Sequence, residues 1–207
     1  IEDMPANVVY SDCRLYADNT LLCCANKTPS ELQEDVNALV IWSCRWGMKF
    51  NPQKCLHMQI GKPSPDFSLC INDSVIPAAE TIKYLGVHIH YSLKWNYHIG
   101  KITKKANRSL GLLRRHLCYA PAKTKLVAFN AIVRSTLEYA CQVWSPHNVG
   151  LSKSIDNVHR KGIRWIYHLP RICSITDCMN DNNIVSLSDR RTQLDEKFLR
   201  RIEFGDY

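Results

Sequence analysis

The residue patterning changes near residues 92–95, and this change divides the chain into a strand-rich part and a helical part. Before Ser92, short apolar runs alternate with turn-forming Asn, Asp, Gly and Pro, which is typical of strands and hairpins. After Trp95, apolar residues recur every three or four positions, as they do on one face of a helix. Strands followed by helices predict an α+β fold.

The strand-rich part contains one predicted helix, from Pro29 to Trp46. Thr28 can cap it, Pro29 suits its first turn, Glu31 completes a capping box, and Gly47 is a natural stop. We predict that its buried face carries Leu32, Val36, Leu39, Val40, Ser43 and Trp46. The remaining extended segments are a strand at 55–60, a hairpin at 69–76, and a β-rich run at 82–89 that Gly86 interrupts.

The helical part begins with an amphipathic helix. Its apolar stripe comprises Ile99, Ile102, Ala106, Leu110, Leu113 and Leu117. At 100° per residue, nearly the opposite side carries Lys101, Lys104, Lys105, Arg108 and Arg115. Further helices are predicted from Pro121 to Tyr139, at 151–169 and at 188–202, with a polar stretch at 177–183. We expect the aromatic side chains of Trp144, Trp165 and Tyr167 to belong to the core.

Positive charge is concentrated in the helical part. Between Lys94 and Arg171 there are fifteen Lys or Arg and two acidic residues, a net charge of +13 in a chain whose total is +8. Such a block indicates contact with a polyanion; the alternative is a solvated basic surface. No motif that reads bases is present, so the predicted nucleic-acid binding is sequence-tolerant and made through phosphates.

Composition limits the class of protein. The hydrophobic content of 45% is that of a globular protein, and no apolar run approaches the ~20 residues that span a bilayer. The first residues are typical neither of a signal peptide nor of an initiator Met. The ten scattered cysteines indicate reduced thiols of an intracellular protein, in the nucleus or cytoplasm. A zinc site built from His168, Cys173 and Cys178 is an alternative that lacks a fourth ligand.

A carboxylate lies between two apolar runs in residues 14–25. We predict that the flanking strands end near Tyr16 and begin near Thr20, leaving Asp18 exposed on a tight turn where a divalent cation can reach it. Ordinary hairpin chemistry is the alternative, because Asp and Asn both tolerate tight turns.

The order of motifs resembles the second half of a reverse transcriptase of non-LTR (LINE-like) retrotransposons. Tyr16-Ala17-Asp18-Asn19 is similar to the Tyr-Ala-Asp-Asp box of that family, with Asn19 at the second acidic position. Similar motifs follow in order at 46–55, 83–89, 137–140 with Trp144, and 186–191. The resemblance implies a partial palm of antiparallel strands with one packed helix at 1–92, an α-helical basic thumb at 93–170, and a C-terminal extension with a terminal helix at 171–207.

The resemblance also implies an activity. The family extends a DNA primer on an RNA template with deoxynucleoside triphosphates, releases pyrophosphate, and uses two Mg²⁺ ions. Asp18 and Asn19 match metal positions, whereas the upstream metal-binding Asp and the fingers would precede Ile1. Asn19 brings no negative charge, so we expect Mg²⁺ to bind weakly or not at all, and the chain alone to be inactive. The expected partners are template, primer or RNA–DNA hybrid, without a membrane.

Other site residues follow from the same resemblance. Tyr16 and Ala17 would line the floor near the primer end, and Lys54 would protonate or neutralise the leaving pyrophosphate unless it is a solvent-facing turn lysine. Leu85 and Gly86 match the primer grip, although a β-bulge also explains the glycine. The five cations opposite the apolar stripe would track a phosphate backbone. The alternative function is a non-enzymatic nucleic-acid-binding module that uses the basic thumb helices.

Overall fold

A computed structural model describes residues 2–17, 19–25, 28–61 and 67–205 of the chain. The chain divides into two compact units, one formed by 1–84 with 89–93 and the other by 85–88 with 94–207. The first unit contains short antiparallel strands and one long helix, and the second is helical apart from the start of one strand. The predicted α+β class is therefore confirmed.

The first unit is built around one hairpin and one helix. Strands β1 (Asp12–Tyr16) and β2 (Asn19–Cys23) pair antiparallel, and helix α1 spans Pro29–Arg45. The predicted capping box is present: Thr28 Oγ1 accepts a hydrogen bond from the Glu31 N–H, and the Glu31 carboxylate accepts one from the Thr28 N–H at 2.7 Å. These bonds satisfy backbone donors that the first helical turn leaves unpaired.

The buried face of α1 differs from the predicted one at a tryptophan. Trp42 is 2% exposed and packs with Met4 and Leu39, whereas Trp46, which we predicted to be buried, is 61% exposed. The helix ends at Arg45 and Gly47 has a φ of 66°, so the chain leaves the helical path at the position where the apolar pattern would have placed Trp46 inside.

Three small two-stranded sheets account for the strands in the described ranges. After β1–β2 come β3 (Cys70–Ile71) with β4 (Ser74–Val75), and β5 (Thr81–Tyr84) with β6 (Val87–His90). The predicted strand at 55–60 is wrong. Every residue of that segment is described, and its only β-type pairing is an isolated parallel bridge between His57 and Ala78. The residue before Ala78 is Pro77, which has no N–H to donate, so the facing segment cannot continue the ladder.

The second unit contains seven helices within the described residues. They are α2 (Asn96–His116), α3 (Ala122–Phe129), α4 (Ser135–Glu138), α5 (Cys141–Trp144), α6 (Val149–Ile166), α7 (Ile175–Asp181) and α8 (Leu187–Phe204). A π-helical turn, Asn130–Arg134, connects α3 with α4, so the predicted helix from Pro121 to Tyr139 is continuous but not uniformly α-helical. Helices α5 and α7 were not predicted; α7 falls on the polar stretch, where Ser174 caps it and Ile175 anchors it in the core.

Helix packing encloses one apolar core in the second unit. Helix α2 lies against α6, and α8 contacts α5 and α6. The fully buried large side chains of this core include Ile99, Leu110, Phe129, Leu137, Trp144, Ile155, Ile163 and Ile166. The terminal helix is also held by charge, because Glu138 accepts two hydrogen bonds from the Arg190 guanidinium and lies near Arg134. Among the described helices, none is long and apolar enough to span a membrane.

Candidate functional site

The motif at residues 16–19, called the box below, lies at the turn of the β1–β2 hairpin. Tyr16 pairs with Asn19 in the strand register, so two residues connect the strands. Asp18 itself lies outside the described residues. Ala17 has a φ of 52°, in the left-handed region, and Tyr16, Ala17 and Asn19 are exposed. The predicted hairpin, with strands that end near Tyr16 and begin near Thr20, is confirmed, and its second strand begins at Asn19. The exposure of Asp18 stays a prediction.

Apolar contacts anchor the hairpin on α1. Leu15 and Leu22 pack against the cluster of Met4, Leu39 and Trp42. Because Leu15 lies on β1 and Leu22 on β2, both strands of the hairpin are held by the same buried face of the helix.

Asp35, which is buried on α1, binds the segment leading into β1. Its carboxylate accepts hydrogen bonds from the Val9 N–H at 2.7 Å, the Tyr10 N–H at 3.0 Å and the Ser11 hydroxyl at 2.5 Å. This role was not predicted from sequence. A signal was available, because a carboxylate between Leu32, Val36 and Leu39 on an apolar face must find partners when it is buried.

Lys54 lies in the first unit at the end of a 3₁₀ turn, Pro52–Lys54. The Asn51 side chain caps this turn by accepting a hydrogen bond from the Gln53 N–H at 3.0 Å, and Pro52 fixes its first dihedral angle. The Lys54 side chain is exposed. The Asn-Pro motif thus produces a rigid turn that presents a solvent-facing ammonium group.

Leu85 and Gly86 form the two-residue turn between β5 and β6. Their φ angles are 44° and 87°, the signs found in a type I′ turn. The β-bulge considered for Gly86 is therefore wrong, because β5 ends at Tyr84 and β6 begins at Val87. The Tyr139 hydroxyl donates a hydrogen bond to the Leu85 carbonyl oxygen at 2.8 Å.

A second contact, which is partly buried, holds the chain just after this turn. The His88 N–H donates to Nδ1 of His98 at 3.1 Å, and the His98 ring lies 5.2 Å from the Trp144 ring. Burial, and then the charge of His88, lower the pKa of His98 to about 4. His98 is therefore neutral near pH 7 and can accept this hydrogen bond. Neither Tyr139 nor His98 was assigned a role from sequence.

The predicted cationic stripe lies on α2. All five side chains, Lys101, Lys104, Lys105, Arg108 and Arg115, are exposed, whereas Ile99, Ala106, Leu110 and Leu113 are buried. Residues 101 and 115 are separated by about 21 Å along the helix axis at 1.5 Å per residue. That length corresponds to roughly six phosphate steps of 3.4 Å along one strand of a duplex. The Lys101 ammonium also lies 5.0 Å from the centre of the Tyr97 ring.

The proposed zinc ligands do not assemble. Across the described ranges, no group of three His, Cys, Asp or Glu side chains is placed to hold a metal ion. His168 instead contacts the buried Lys125, with its Nε2 atom 2.8 Å from the ammonium nitrogen. Of the three aromatic residues expected in the core, Trp144 is fully buried, whereas Trp165 and Tyr167 are half-buried.

Comparison with known proteins finds similarity to RNA-directed DNA polymerases. Residues 4–89 match the family model described as reverse transcriptase (RNA-dependent DNA polymerase). The chain is 25% identical over 199 residues to the RNA-directed DNA polymerase from mobile element jockey of Drosophila melanogaster, a match that covers 90% of the chain and 21% of that protein. It is 22% identical over 197 residues to the probable RNA-directed DNA polymerase from transposon BS of the same species, covering 90% and 22%.

A jockey polymerase from Drosophila funebris matches in the same way, at 25% identity over 198 residues, covering 91% of the chain and 21% of that protein. The chain spans about a fifth of the length of the curated relatives it matches. No solved structure matches it. Residues 4–89 are therefore similar to reverse transcriptases, and about 90% of the chain is similar to the RNA-directed DNA polymerases of these mobile elements.

Proposed function

We propose that this chain is a part of an RNA-directed DNA polymerase that carries the catalytic turn and residues that contact the primer and template. In this proposal residues 1–92 are the C-terminal part of the palm, 93–170 are the thumb, and 171–207 are a C-terminal extension. The observation that carries it is the box at residues 16–19, which spans a two-residue hairpin connection inside the segment that matches the family model and in which Tyr16, Ala17 and Asn19 are exposed.

The residues of the box determine how many metal ions the chain can bind and how tightly. Asp18 is the proposed catalytic ligand, and Asn19, exposed at the start of β2, is the second proposed ligand. Magnesium is held by one or two carboxylates together with substrate phosphates and water, so this donor set fits one weakly held ion. When bound, Mg²⁺ would polarise phosphate oxygens and assist the primer hydroxyl.

Asn19 limits this chemistry because an amide oxygen carries no charge. Two neighbouring divalent ions repel each other, and anionic ligands offset that repulsion. We therefore propose that the wild-type chain has no polymerase activity with Mg²⁺ on its own.

The remaining proposed site residues serve the substrates. Tyr16 and Ala17 would contact the primer end, and Leu85 with Gly86 would contact the primer backbone. Lys54 would neutralise the leaving pyrophosphate of the deoxynucleoside triphosphate, because its exposed ammonium is available to an anion. The five-cation stripe on α2 would bind phosphates of the RNA–DNA hybrid.

The proposed cellular location is inferred from the proposed substrates. We propose an intracellular protein, in the nucleus or the cytoplasm, where RNA templates and deoxynucleoside triphosphates occur. The ten cysteines, all of which are described, are free thiols, as is usual in reducing compartments.

Primer extension on an RNA template tests the catalytic part of the proposal. The wild type should give no product above a protein-free control with Mg²⁺. Asn19→Asp should bind Mn²⁺ more tightly, measured by paramagnetic broadening of the backbone amide signals of residues 17 and 19, and Asp18→Ala serves as the metal-free control. Extension by the wild type that disappears in Asp18→Ala would contradict the proposed inactivity, and equal Mn²⁺ affinity in all three proteins would contradict the metal assignment.

A further inference from the structure

Two segments far apart in sequence meet at the Leu85–Gly86 turn, and their contact suggests a role that the primer-binding assignment does not include. We propose that Tyr139 is a positioning residue that fixes this turn in the orientation that contacts the primer end. The inference rests on the proposed function, because it concerns the turn to which primer contact is assigned.

The contact between Tyr139 and the turn is both polar and steric. The hydroxyl donates to the Leu85 carbonyl oxygen at 2.8 Å. A Cβ atom placed on Gly86 would lie 3.1 Å from Cε1 of the Tyr139 ring, closer than ordinary van der Waals contact, and Gly86 has a φ of 87°. Glycine therefore meets two requirements at this position, the left-handed backbone and the close approach of the ring.

The turn needs an external partner because Leu85 is strained. Its φ of 44° lies in the left-handed region, which is unfavourable for an L-residue that carries a side chain. A two-residue turn with this strain can relax by rotating the peptide that follows Leu85. The Tyr139 hydroxyl opposes that rotation, because it binds the carbonyl oxygen of the same peptide.

The backbone of Tyr139 is itself held by the core. The Trp144 indole N–H donates to the Tyr139 carbonyl oxygen at 2.8 Å, and Trp144 and the neighbouring Leu137 are fully buried. Ala140, with a φ of 52°, turns the chain immediately after Tyr139 so that Trp144 can reach back. The backbone that carries the phenol is thus attached to the core of the second unit, although the Tyr139 residue is 57% exposed.

The same tryptophan supports the other side of the turn. His98 accepts a hydrogen bond from the His88 N–H, and its ring packs on the Trp144 ring. Two anchors, Tyr139 at Leu85 and His98 at His88, therefore converge on Trp144. The helical core therefore sets the orientation of the turn. A turn that is fixed in this way can present its backbone atoms to a primer end at a constant position.

Removing the hydroxyl alone tests this role. We compare the wild type with Tyr139→Phe, using Tyr119→Phe as the matched control because Tyr119 is 99% exposed on the same unit. Two RNA–DNA hybrids of equal length are titrated by fluorescence anisotropy, one blunt and one with a recessed DNA 3′ end. Wild type and Tyr119→Phe should prefer the recessed hybrid, and Tyr139→Phe should reduce that preference by roughly three- to tenfold, the factor expected for one lost hydrogen bond.

Two further measurements distinguish positioning from general destabilisation. The dependence of affinity on salt should be unchanged in Tyr139→Phe, since no cation is removed. Hydrogen exchange at the Gly86 and Val87 amides should accelerate, while amides in α2 and α6 stay protected. If Tyr139→Phe is unstable at the working temperature, Gly86→Ala displaces the ring instead and should cause the same loss of preference.

The possible results separate the inference from the function on which it rests. A wild-type preference for the recessed hybrid that both Tyr139→Phe and Gly86→Ala retain would overturn the positioning role and leave the proposed function intact. A wild type with no such preference would overturn primer contact at this turn, and the positioning role with it.

Discussion

A single glycine decides how two helices of the second unit approach each other. A Cβ atom on Gly162 of α6 would lie 2.1 Å from Cε2 and 2.6 Å from Cζ of the Phe129 ring. Phe129 is fully buried, so the ring has no space into which it can withdraw. The glycine, which weakens a helix by itself, is therefore required by packing.

We expect Gly162→Ala and Gly111→Ala to have opposite effects on stability. Gly162→Ala should lower the free energy of unfolding by about 1–3 kcal/mol, because it overpacks the core. Gly111, in α2, has no atom within 4 Å of the position that an added Cβ would take, so Gly111→Ala should raise the free energy of unfolding by roughly 0.5–1 kcal/mol. Urea unfolding followed by circular dichroism measures both, and effects of the same sign would contradict the packing account.

Sequence alone could not have predicted the role of Gly162. From the sequence, a glycine inside a helical pattern indicates only that the helix is locally less stable. The phenylalanine whose ring requires this glycine lies on another helix. The same holds for Gly86, whose neighbour Tyr139 follows much later in the chain. Both glycines are explained by contacts distant in sequence, which residue periodicity does not contain.

At the scale of elements, helix caps and apolar periodicity in the sequence predicted the long helices correctly. Helices α1 and α8 begin where Thr28 and Ser186 cap them, and α2 follows its apolar stripe. The strand predicted at 55–60 failed because a strand needs a partner, and Pro77 interrupts the facing segment. Helix α7 was missed because its seven residues are mostly polar and it is anchored by Ile175.

Asp35 connects helix α1 to residues 9–11, which precede strand β1, and this connection predicts the effect of a mutation. Asp35→Ala leaves the donors of Val9, Tyr10 and Ser11 without the carboxylate, so the free energy of unfolding of the first unit should fall by about 1–3 kcal/mol. Glu80→Ala, at an exposed position of the same unit, is the control. Urea unfolding monitored by tryptophan fluorescence gives the comparison, and an equal, small effect in both variants would refute the role of Asp35.

At the scale of the whole molecule, buried histidines make stability depend on pH. His98 and His159 are both buried, and burial is the main cause that lowers the pKa of each to about 4. The unfolded chain therefore binds more protons than the folded chain between about pH 4 and pH 6.5. The stabilisation is complete above that window and is lost as the pH falls through it.

We expect the free energy of unfolding to fall by roughly 1.4 kcal/mol per pH unit for each of these histidines inside the window. His98→Gln should be less stable at neutral pH but should show a shallower pH dependence than the wild type. His116→Gln, at an exposed position, should keep the wild-type slope. Unfolding in urea at several pH values measures the slopes, and an unchanged slope in His98→Gln would contradict the assignment.

The distribution of charge over the whole chain leads to the central claim, which is that the exposed stripe on α2 binds the phosphates of a nucleic acid. The concentration of +13 between Lys94 and Arg171 was evident from sequence, as was the amphipathic pattern of α2. The exposure of all five stripe cations agrees with that pattern. The residues proposed to contact the primer end and the leaving pyrophosphate were indicated only by the resemblance, because such contacts leave no periodic signal in the sequence.

Salt dependence of binding tests this claim most directly. If the five cations each neutralise one phosphate, the slope of log affinity against log salt should be about −4 to −5 on B-form DNA. Replacing Lys104 and Lys105 with Ala should make it shallower by about two units and weaken unrelated sequences equally. The control double variant Lys197→Ala with Arg200→Ala, exposed on α8, should keep the wild-type slope. An unchanged slope in a folded Lys104→Ala, Lys105→Ala protein would show that the stripe is only a solvated surface.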